Sequence, residues 1–115
     1  MVASQDGLLR GRLVLVVQRR WLIARQLSTA FKAEGARVLL AQNAPAGELA
    51  AEAPDLAAAV LDSGSGPLCS VLRKRGVPFV MYTAREHLGA ECAGAPVVRK
   101  PAKEEEVVRT IRRLL

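Results

Sequence analysis

The stretch LVLVV at Leu13–Val17 is an uninterrupted run of branched apolar residues. A strand that is buried on both faces has this composition, whereas a strand with one wet face alternates apolar and polar residues. Four more short apolar runs follow, at Arg37–Ala41, at Leu56–Leu61, at residues 78–82 and at residues 96–99. The sequence therefore predicts five short strands.

Helical patterns lie between and after these runs. The first helix carries an apolar stripe that ends before Gly35, and the second begins with Asn43 as N-cap and Pro45 in its first turn. A third, short helix ends at Gly76, and residues 85–92 have only a weak helical pattern. The last helix has three Glu in its first turn and Arg near its end, which complements the helix dipole.

This alternation of strand and helix, repeated five times, predicts an α/β protein with a doubly wound (βα)5 parallel sheet that is covered by helices on both faces. A length of 115 residues suits one domain, predicted at residues 12–115, after a short N-terminal lead-in at residues 1–11. Ligand sites in such sheets lie beyond the carboxyl ends of the strands. The residues that follow each strand are therefore the candidates for a functional site.

Composition excludes several classes of protein. Half of the residues are apolar and 24% are charged, which does not fit a disordered or fibrous chain. The net charge of +6 favours anionic partners, but one Trp, one Tyr and two Phe are too few for a base-stacking surface, so no nucleic-acid partner is expected. The sequence shows neither a membrane-spanning apolar segment nor the pattern of a signal peptide, and we predict a cytoplasmic protein with no membrane partner.

The cysteines form no recognisable motif. Cys69 and Cys92 have neither CxxC spacing nor a second pair beside them. Two isolated cysteines are typical of a protein from a reducing compartment, and we predict two reduced thiols.

Three polar side chains follow directly on predicted strands. Asp62 follows the third strand, Thr83 the fourth and Lys100 the fifth. Because the carboxyl ends of parallel strands meet at one edge of a sheet, we expect an acid, a hydroxyl and an amine to come together there. Strand ends also turn polar simply because they reach water, so each residue taken alone is ambiguous.

Val-Leu-Asp ending at Asp62, Tyr-Thr-Ala around Thr83 and Arg-Lys-Pro around Lys100 together resemble the receiver domain of bacterial two-component response regulators. The resemblance spans residues 12–115. It implies a flavodoxin-like receiver fold, here with shortened third and fourth helices, in which Asp62 is the phosphoacceptor. It also implies that Thr83 and Lys100 bind the phosphoryl group, that Ala84 leaves access to it, and that Pro101 follows a cis peptide.

The sequence departs from the family where the family has acidic Mg²⁺ ligands after the first strand. Those positions are Gln18 and Arg19, and Mg²⁺ prefers carboxylate ligands. An Arg near the Asp62 carboxylate also repels a divalent cation. We therefore expect that no cofactor is required and that Mg²⁺ binds weakly or not at all, with no metal site beyond a weak contribution from Asp62.

Three arrangements are open for Arg19: pairing with Asp62, an anion site formed with Lys100, or a side chain turned to solvent. We favour pairing with Asp62, because nothing else in the pocket balances the charge of Arg19. The resemblance also implies an aromatic residue at position 97, where this chain has Val97, so the family's Thr–aromatic switch is incomplete.

We predict a response regulator receiver domain that acts alone in a phosphorelay, since no output domain follows Leu115. Its phosphorylation at Asp62 would be atypical or independent of Mg²⁺. The resemblance implies a histidine kinase or phosphotransfer protein and an unknown target protein as partners, and it leaves homodimerisation open. The alternative is a pseudo-receiver that binds its partner without phosphorylation. An enzyme is not expected, because the chain has no dinucleotide fingerprint, P-loop or catalytic His.

Overall fold

A computed structural model describes residues 7–84 and 88–115. Within these residues five strands alternate with helices. The strands are β1 (Leu13–Val17), β2 (Arg37–Ala41), β3 (Leu56–Leu61), β4 (Phe79–Thr83) and β5 (Val97–Arg99). The helices are α1 (Trp21–Ala33), α2 (Ala44–Ala50), α3 (Gly66–Arg75) and α4 (Glu104–Leu114), and a short 3₁₀ helix lies at Ala90–Cys92.

The five strands form one sheet in the order β2-β1-β3-β4-β5, with every neighbouring pair parallel. The chain moves outward from β1 to β2, returns past β1 to β3, and continues to β4 and β5. This reversal of direction is the doubly wound arrangement, and it places a crevice at the carboxyl ends of β1 and β3. The predicted fold class is confirmed.

Two apolar layers cover the sheet, one on each face. On one face, alternate residues of β1 such as Leu15 pack with α2 and α3, and on the other face Val14 and Val16 pack with α1 and α4. All five residues of β1 are buried. The continuous apolar run in β1 thus reflects contact with helices on both sides, as its composition predicts.

Local sequence signals set the ends of the helices. The Asn43 side chain accepts a hydrogen bond from the backbone N–H of Ala46 at 2.9 Å, which confirms the predicted cap of α2. Gly76 ends α3 with a φ of 70°, a conformation that glycine adopts without strain. The first turn of α4 is acidic and its last turn is basic, as predicted.

The segment predicted as a weak fourth helix holds only the 3₁₀ helix Ala90–Cys92 within its described part, and residues 85–87 lie outside the described residues. Gly89 precedes this turn and Gly94 follows it, each with a φ of 82°. Only glycine adopts this backbone readily, so the two residues confine the helical turn to one short stretch. A shortened fourth helical segment was the expectation, and the described residues agree with it.

The prediction of two reduced thiols is wrong, because Cys69 and Cys92 form a disulfide. Cys69 lies on the buried face of α3, and the chain after β4 crosses that helix and brings the two Cα atoms to 5.4 Å. A separation of 23 residues with no motif around it does not reveal this contact. Only the packing of the 3₁₀ helix on α3 in the folded chain reveals the contact between the two cysteines.

The packed part of the chain begins before Arg12. Leu9 is fully buried and belongs to the apolar layer beneath α1 and α4. The backbone N–H of Gly11 donates to the carbonyl oxygen of Gly35, which fixes this segment beside the end of α1. No helix within the described residues is long and apolar enough to cross a membrane.

Candidate functional site

The carboxyl ends of the strands bring the predicted site residues to one edge of the sheet. Asp62 follows β3, Thr83 ends β4, and Lys100 follows β5. The backbone N–H of Lys100 donates to the carbonyl oxygen of Thr83 at 3.1 Å, so the ends of β4 and β5 are joined directly. Gln18 and Arg19 follow β1, beside β3 in the sheet.

Asp62 is buried, and its carboxylate is held by two hydrogen bonds. The backbone N–H of Arg19 donates to Oδ2 at 2.9 Å, and the Ser65 hydroxyl donates to Oδ1 at 3.3 Å. Ser65 is itself buried and comes directly before α3. Both donors belong to turns that connect a strand to a helix, so the strand-to-helix connections determine where this carboxylate points.

The Arg19 side chain makes a looser contact than its backbone. Its Nε lies 4.0 Å from Asp62 Oδ2, and 69% of the side chain is exposed. Exposed ion pairs of this kind contribute at most about 1 kcal/mol. Of the three arrangements considered above, the structure shows the pairing with Asp62, at the outer limit of an ion pair, while the guanidinium extends into solvent.

Gln18 is fully buried, and neither Nε2 nor Oε1 of its amide has a hydrogen-bond partner among the described residues. A buried amide without partners costs free energy, so polar groups in protein interiors are normally paired. The family's acidic position is thus occupied here by an uncharged group beneath the surface of the site.

Lys100 extends over an aromatic ring. Its Nζ lies 5.2 Å from the centroid of the Tyr82 ring, and the Tyr82 hydroxyl donates to the carbonyl oxygen of Ala102 at 2.9 Å. Burial lowers the pKa of Lys100, the Asp62 carboxylate opposes that shift, and the guanidinium groups of Arg20 and Arg19 add to it. No ion pair within 4.0 Å joins Lys100 to Asp62 in the part of the chain described. The Asp62 carboxylate therefore acts on the Lys100 ammonium from a distance, without a direct ion pair.

The predicted site residues line two neighbouring cavities. The first is lined by Asp62, Arg19, Asn43, Ala44, Ser63 and Gly64. The second is lined by Thr83, Ala84, Lys100, Pro101, Arg20, Tyr82 and further residues of α1 and α4, and it also includes Ser63. Ser63 thus stands between the carboxylate and the hydroxyl–amine pair. The peptide bond between Lys100 and Pro101 is cis, as the resemblance implies.

The residues of this edge do not fit a Mg²⁺ ion of the kind the receiver fold implies. Mg²⁺ prefers an octahedron of oxygen ligands with carboxylates among them. Here the Asp62 carboxylate already accepts two hydrogen bonds, Gln18 is a buried neutral amide, and Arg19 is a cation. Among the described residues, no cluster of three or more His, Cys, Asp or Glu could hold a metal. The donor chemistry disagrees with a magnesium site.

Three residues of the site were not singled out by sequence reasoning. Ser65 binds Asp62, Tyr82 lies beneath Lys100, and Arg20 lines the second cavity. Ser65 had a recognisable signal, because a serine directly before a helix often caps that helix or binds nearby groups. Tyr82 packs with the apolar layer beneath α1 and α4.

A doubly wound sheet in the order β2-β1-β3-β4-β5 is the fold of the CheY-like receiver domains. The chain has this fold.

Solved structures of receiver domains match the chain over nearly its whole length. A response regulator receiver protein from Methanospirillum hungatei is 21% identical, with 90% of this chain and 93% of that chain covered and a TM-score of 0.81. The chemotaxis response regulator CheY4 of Vibrio cholerae is 19% identical, with 91% and 99% covered and a TM-score of 0.78.

The response regulator TrrA of Thermotoga maritima, solved in complex with Mg²⁺ and BeF, is 19% identical, with 90% and 99% covered and a TM-score of 0.79. No protein-family model matches the sequence, and a search of curated proteins finds no match either. The likeness to these proteins therefore lies in the fold.

Proposed function

We propose that this chain is the receiver domain of a cytoplasmic bacterial response regulator, and that Asp62 accepts a phosphoryl group without a conventionally bound Mg²⁺ ion. The observation that carries the proposal is the buried Asp62 carboxylate beside the joined ends of β4 and β5, where Thr83 and Lys100 lie. The partners would be a histidine kinase or phosphotransfer protein and a target protein.

The proposed chemistry is nucleophilic transfer to the carboxylate. One oxygen of Asp62 forms a bond to phosphorus while the bond from phosphorus to the donor's leaving group breaks, and the leaving group departs with the electron pair. The phosphoryl group then carries its charge next to the Lys100 ammonium and the Thr83 hydroxyl. Hydrogen-bond donors and cations placed where charge develops are what such a transfer needs.

The charges at this edge of the sheet support a mechanism in which cationic side chains, and not a Mg²⁺ ion, stabilise the charge of the phosphoryl group. The charges of Asp62, Arg20 and Arg19 all act on the Lys100 ammonium, so three cations and the Asp62 carboxylate share one electrostatic environment. An Arg guanidinium suits a phosphoryl group because its N–H groups match two phosphate oxygens. The exposed Arg19 side chain is long enough to turn toward a phosphoryl group on Asp62.

One set of contacts favours the alternative, a pseudo-receiver that binds a partner without phosphorylation. Both oxygens of Asp62 already accept hydrogen bonds, from Arg19 and Ser65. Val97 occupies the place of the family's aromatic residue and is 41% exposed on the edge strand. A site closed in this way would keep one conformation and present a constant surface.

The deciding experiment is incubation with acetyl phosphate followed by intact-protein mass measurement, with Mg²⁺ and with a chelator. We expect a phosphoryl adduct under both conditions and none in Asp62→Asn. Asp55→Asn is the matched control, because Asp55 is an exposed aspartate that pairs with Arg37 away from the site. The fluorescence of Trp21, the neighbour of Arg20, provides a second readout.

The outcomes separate the two functions. An adduct that persists in Asp62→Asn would place the chemistry elsewhere. An adduct that forms only with Mg²⁺ would overturn the metal-independent mechanism but keep Asp62 as acceptor. The absence of any adduct, with Trp21 fluorescence unchanged, would establish the pseudo-receiver.

A further inference from the structure

The Cys69–Cys92 disulfide connects α3 to the chain that runs from β4 to β5. Cys69 lies in the middle of α3, and Cys92 ends the 3₁₀ helix. Both cysteines are buried, with exposures of 0% and 1%. The bond therefore joins a rigid helix to a connection whose two ends carry Thr83 and Lys100.

The connection is otherwise a surface segment. Residues 89–91, 93 and 94 are exposed, and Cys92 is the buried residue among them. Apart from the disulfide, three contacts with α3 involve exposed residues of this segment: the Arg73 guanidinium donates to the carbonyl oxygen of Ala93, the Ser70 hydroxyl lies 3.5 Å from Glu91 Oε2, and Glu91 also packs over Gly66. Exposed contacts of this kind hold a segment weakly.

Half-buried apolar residues flank the turn on both sides. Leu88 and Ala95 pack against the layer of core residues that contains both cysteines. Gly89 and Gly94, each with a φ of 82°, separate these residues from the 3₁₀ helix. Within the described residues, the disulfide is thus the buried covalent link between α3 and the stretch between the two glycines.

The fold has an apolar core on each face of the sheet in addition to the bond. Small domains rely on disulfides when their core is too small, but this sheet carries an apolar layer on each face. Reduced cysteines are small apolar side chains that remain comfortably buried. The core on the α3 side would keep its contacts with two thiols in place of one disulfide.

We propose that Cys69 and Cys92 form a reversible thiol–disulfide site that fixes or releases the connection between β4 and β5. The oxidant is a disulfide, either of low molecular weight or on a partner protein, and the reductant is a dithiol. Because both cysteines are buried, exchange takes place when the stretch around Cys92 opens locally. In oxidation, one cysteine thiolate then attacks the oxidant to give a mixed disulfide and releases one thiol, and the second cysteine attacks the mixed disulfide and releases the other. Two electrons and two protons pass to the oxidant, which leaves as two thiols; a dithiol reverses both steps.

The site is independent of phosphorylation at Asp62. It acts on the segment between β4 and β5 through α3, and it holds whether the domain is a phosphorylated receiver or a pseudo-receiver. Oxidation would fix the surface around the 3₁₀ helix, and reduction would let that surface adapt. The cell's thiol balance would thus set the mobility of one face of the molecule.

Hydrogen–deuterium exchange on the full chain tests this inference. The protein is first treated with oxidised glutathione, and half is then reduced with dithiothreitol. We expect reduction to increase the mass of the protein by two hydrogen atoms. The reduced protein should then react with two maleimide labels. We also expect residues 88–96 to exchange several-fold faster after reduction, while β3 and the circular dichroism spectrum stay unchanged.

The double variant Cys69→Ala/Cys92→Ala should exchange like the reduced protein and should not respond to dithiothreitol. Wild-type protein in its two redox states decides the question even if this variant folds poorly. Thiols that stay free in oxidised glutathione, a disulfide that is reduced only with global unfolding, or equal exchange at residues 88–96 in both states would each overturn the proposal.

Discussion

Lys100 shows how the charges of the site act on one residue. Its ammonium lies over the Tyr82 ring, at the edge of a cavity that also contains Arg20. Burial and the neighbouring guanidinium groups disfavour the ammonium, whereas Asp62 favours it. Because burial is the larger effect, the pKa of Lys100 lies below its usual value of 10.5.

The titration of the Lys100 side chain should follow this balance. In ¹³C NMR of the lysine Cε atoms, we expect the midpoint of Lys100 below 10.5. Asp62→Asn should lower the midpoint further, because it removes the attractive charge, and Arg20→Ala should raise it. Stability linked to Lys100 should rise with pH between its folded pKa and 10.5, where the unfolded chain binds more protons. A higher midpoint in Asp62→Asn would contradict this account.

Replacing Arg19 by aspartate should create affinity for Mg²⁺. The variant has a carboxylate in place of a cation, at a residue whose backbone N–H already donates to Asp62. Unit charges about 4 Å apart interact by about 4 kcal/mol near a protein surface, and even half of that is worth more than about tenfold in affinity. Titration calorimetry of Arg19→Asp should therefore show at least about tenfold tighter Mg²⁺ binding than the parent.

Arg25→Asp is the control for that measurement. Arg25 is an exposed residue of α1, and its replacement changes the net charge by the same amount away from Asp62. Equal Mg²⁺ affinities in the two variants would show that general charge, and not the local pocket, governs metal binding.

The positions of three site residues could be predicted, because each of them stands at the end of a strand, while their roles stay predictions. Asp62, Thr83 and Lys100 could be assigned to one edge because parallel strands end together. Ser65 could not be assigned as the partner of Asp62, since that contact depends on the path of the turn before α3. The position of the Arg19 guanidinium could not be predicted either, because a long side chain at the surface can adopt several conformations.

At the level of elements, α2 shows why a glycine occupies the middle of a short helix. A Cβ atom at Gly47 would lie 2.9 Å from Leu68 Cδ2 and 3.0 Å from Val17 Cγ2. The absence of a side chain lets α2 approach both β1 and α3 closely. The close packing of α2 therefore requires glycine at position 47, although glycine lowers the intrinsic helix propensity of α2.

Gly47→Ala should destabilise the protein despite the better helix propensity of alanine. The propensity gain is about 1 kcal/mol, whereas overpacking costs about 1–3 kcal/mol, and the branched Val17 side chain has little freedom to move aside. We expect a net loss of about 1 kcal/mol in the free energy of unfolding by urea. Leu49→Ala in the same helix, at a side chain 71% exposed, should change it by less than about 0.5 kcal/mol. A stabilised Gly47→Ala would show that α2 shifts without cost.

The strands were predictable from apolar runs, because burial on two faces leaves no polar positions in them. The helices α1 and α4 were predictable from their stripes and end charges. The segment after β4 was not, since its 3₁₀ helix has three residues and its main anchor is a distant cysteine. Elements that derive their order from one long-range bond leave almost no local pattern in the sequence.

At the level of the whole molecule, the alternation of strands and helices was enough to predict a doubly wound sheet, because crossovers between parallel strands are right-handed and place helices on both faces. The contribution of Leu9 to the core was not predictable, since one apolar residue before Arg12 gives no periodicity. The disulfide was likewise hidden, because it depends on which helix the last connection crosses.

The two edges of the sheet differ in a way that affects how molecules meet in concentrated solution. β2 is an edge strand of five residues, whereas β5 has three and follows directly on Pro96, with Pro101 shortly after it. Short edges flanked by proline offer few free backbone groups to a strand from another chain. Association through β-strand addition is therefore disfavoured at β5, and unwanted aggregation of this kind would begin at β2.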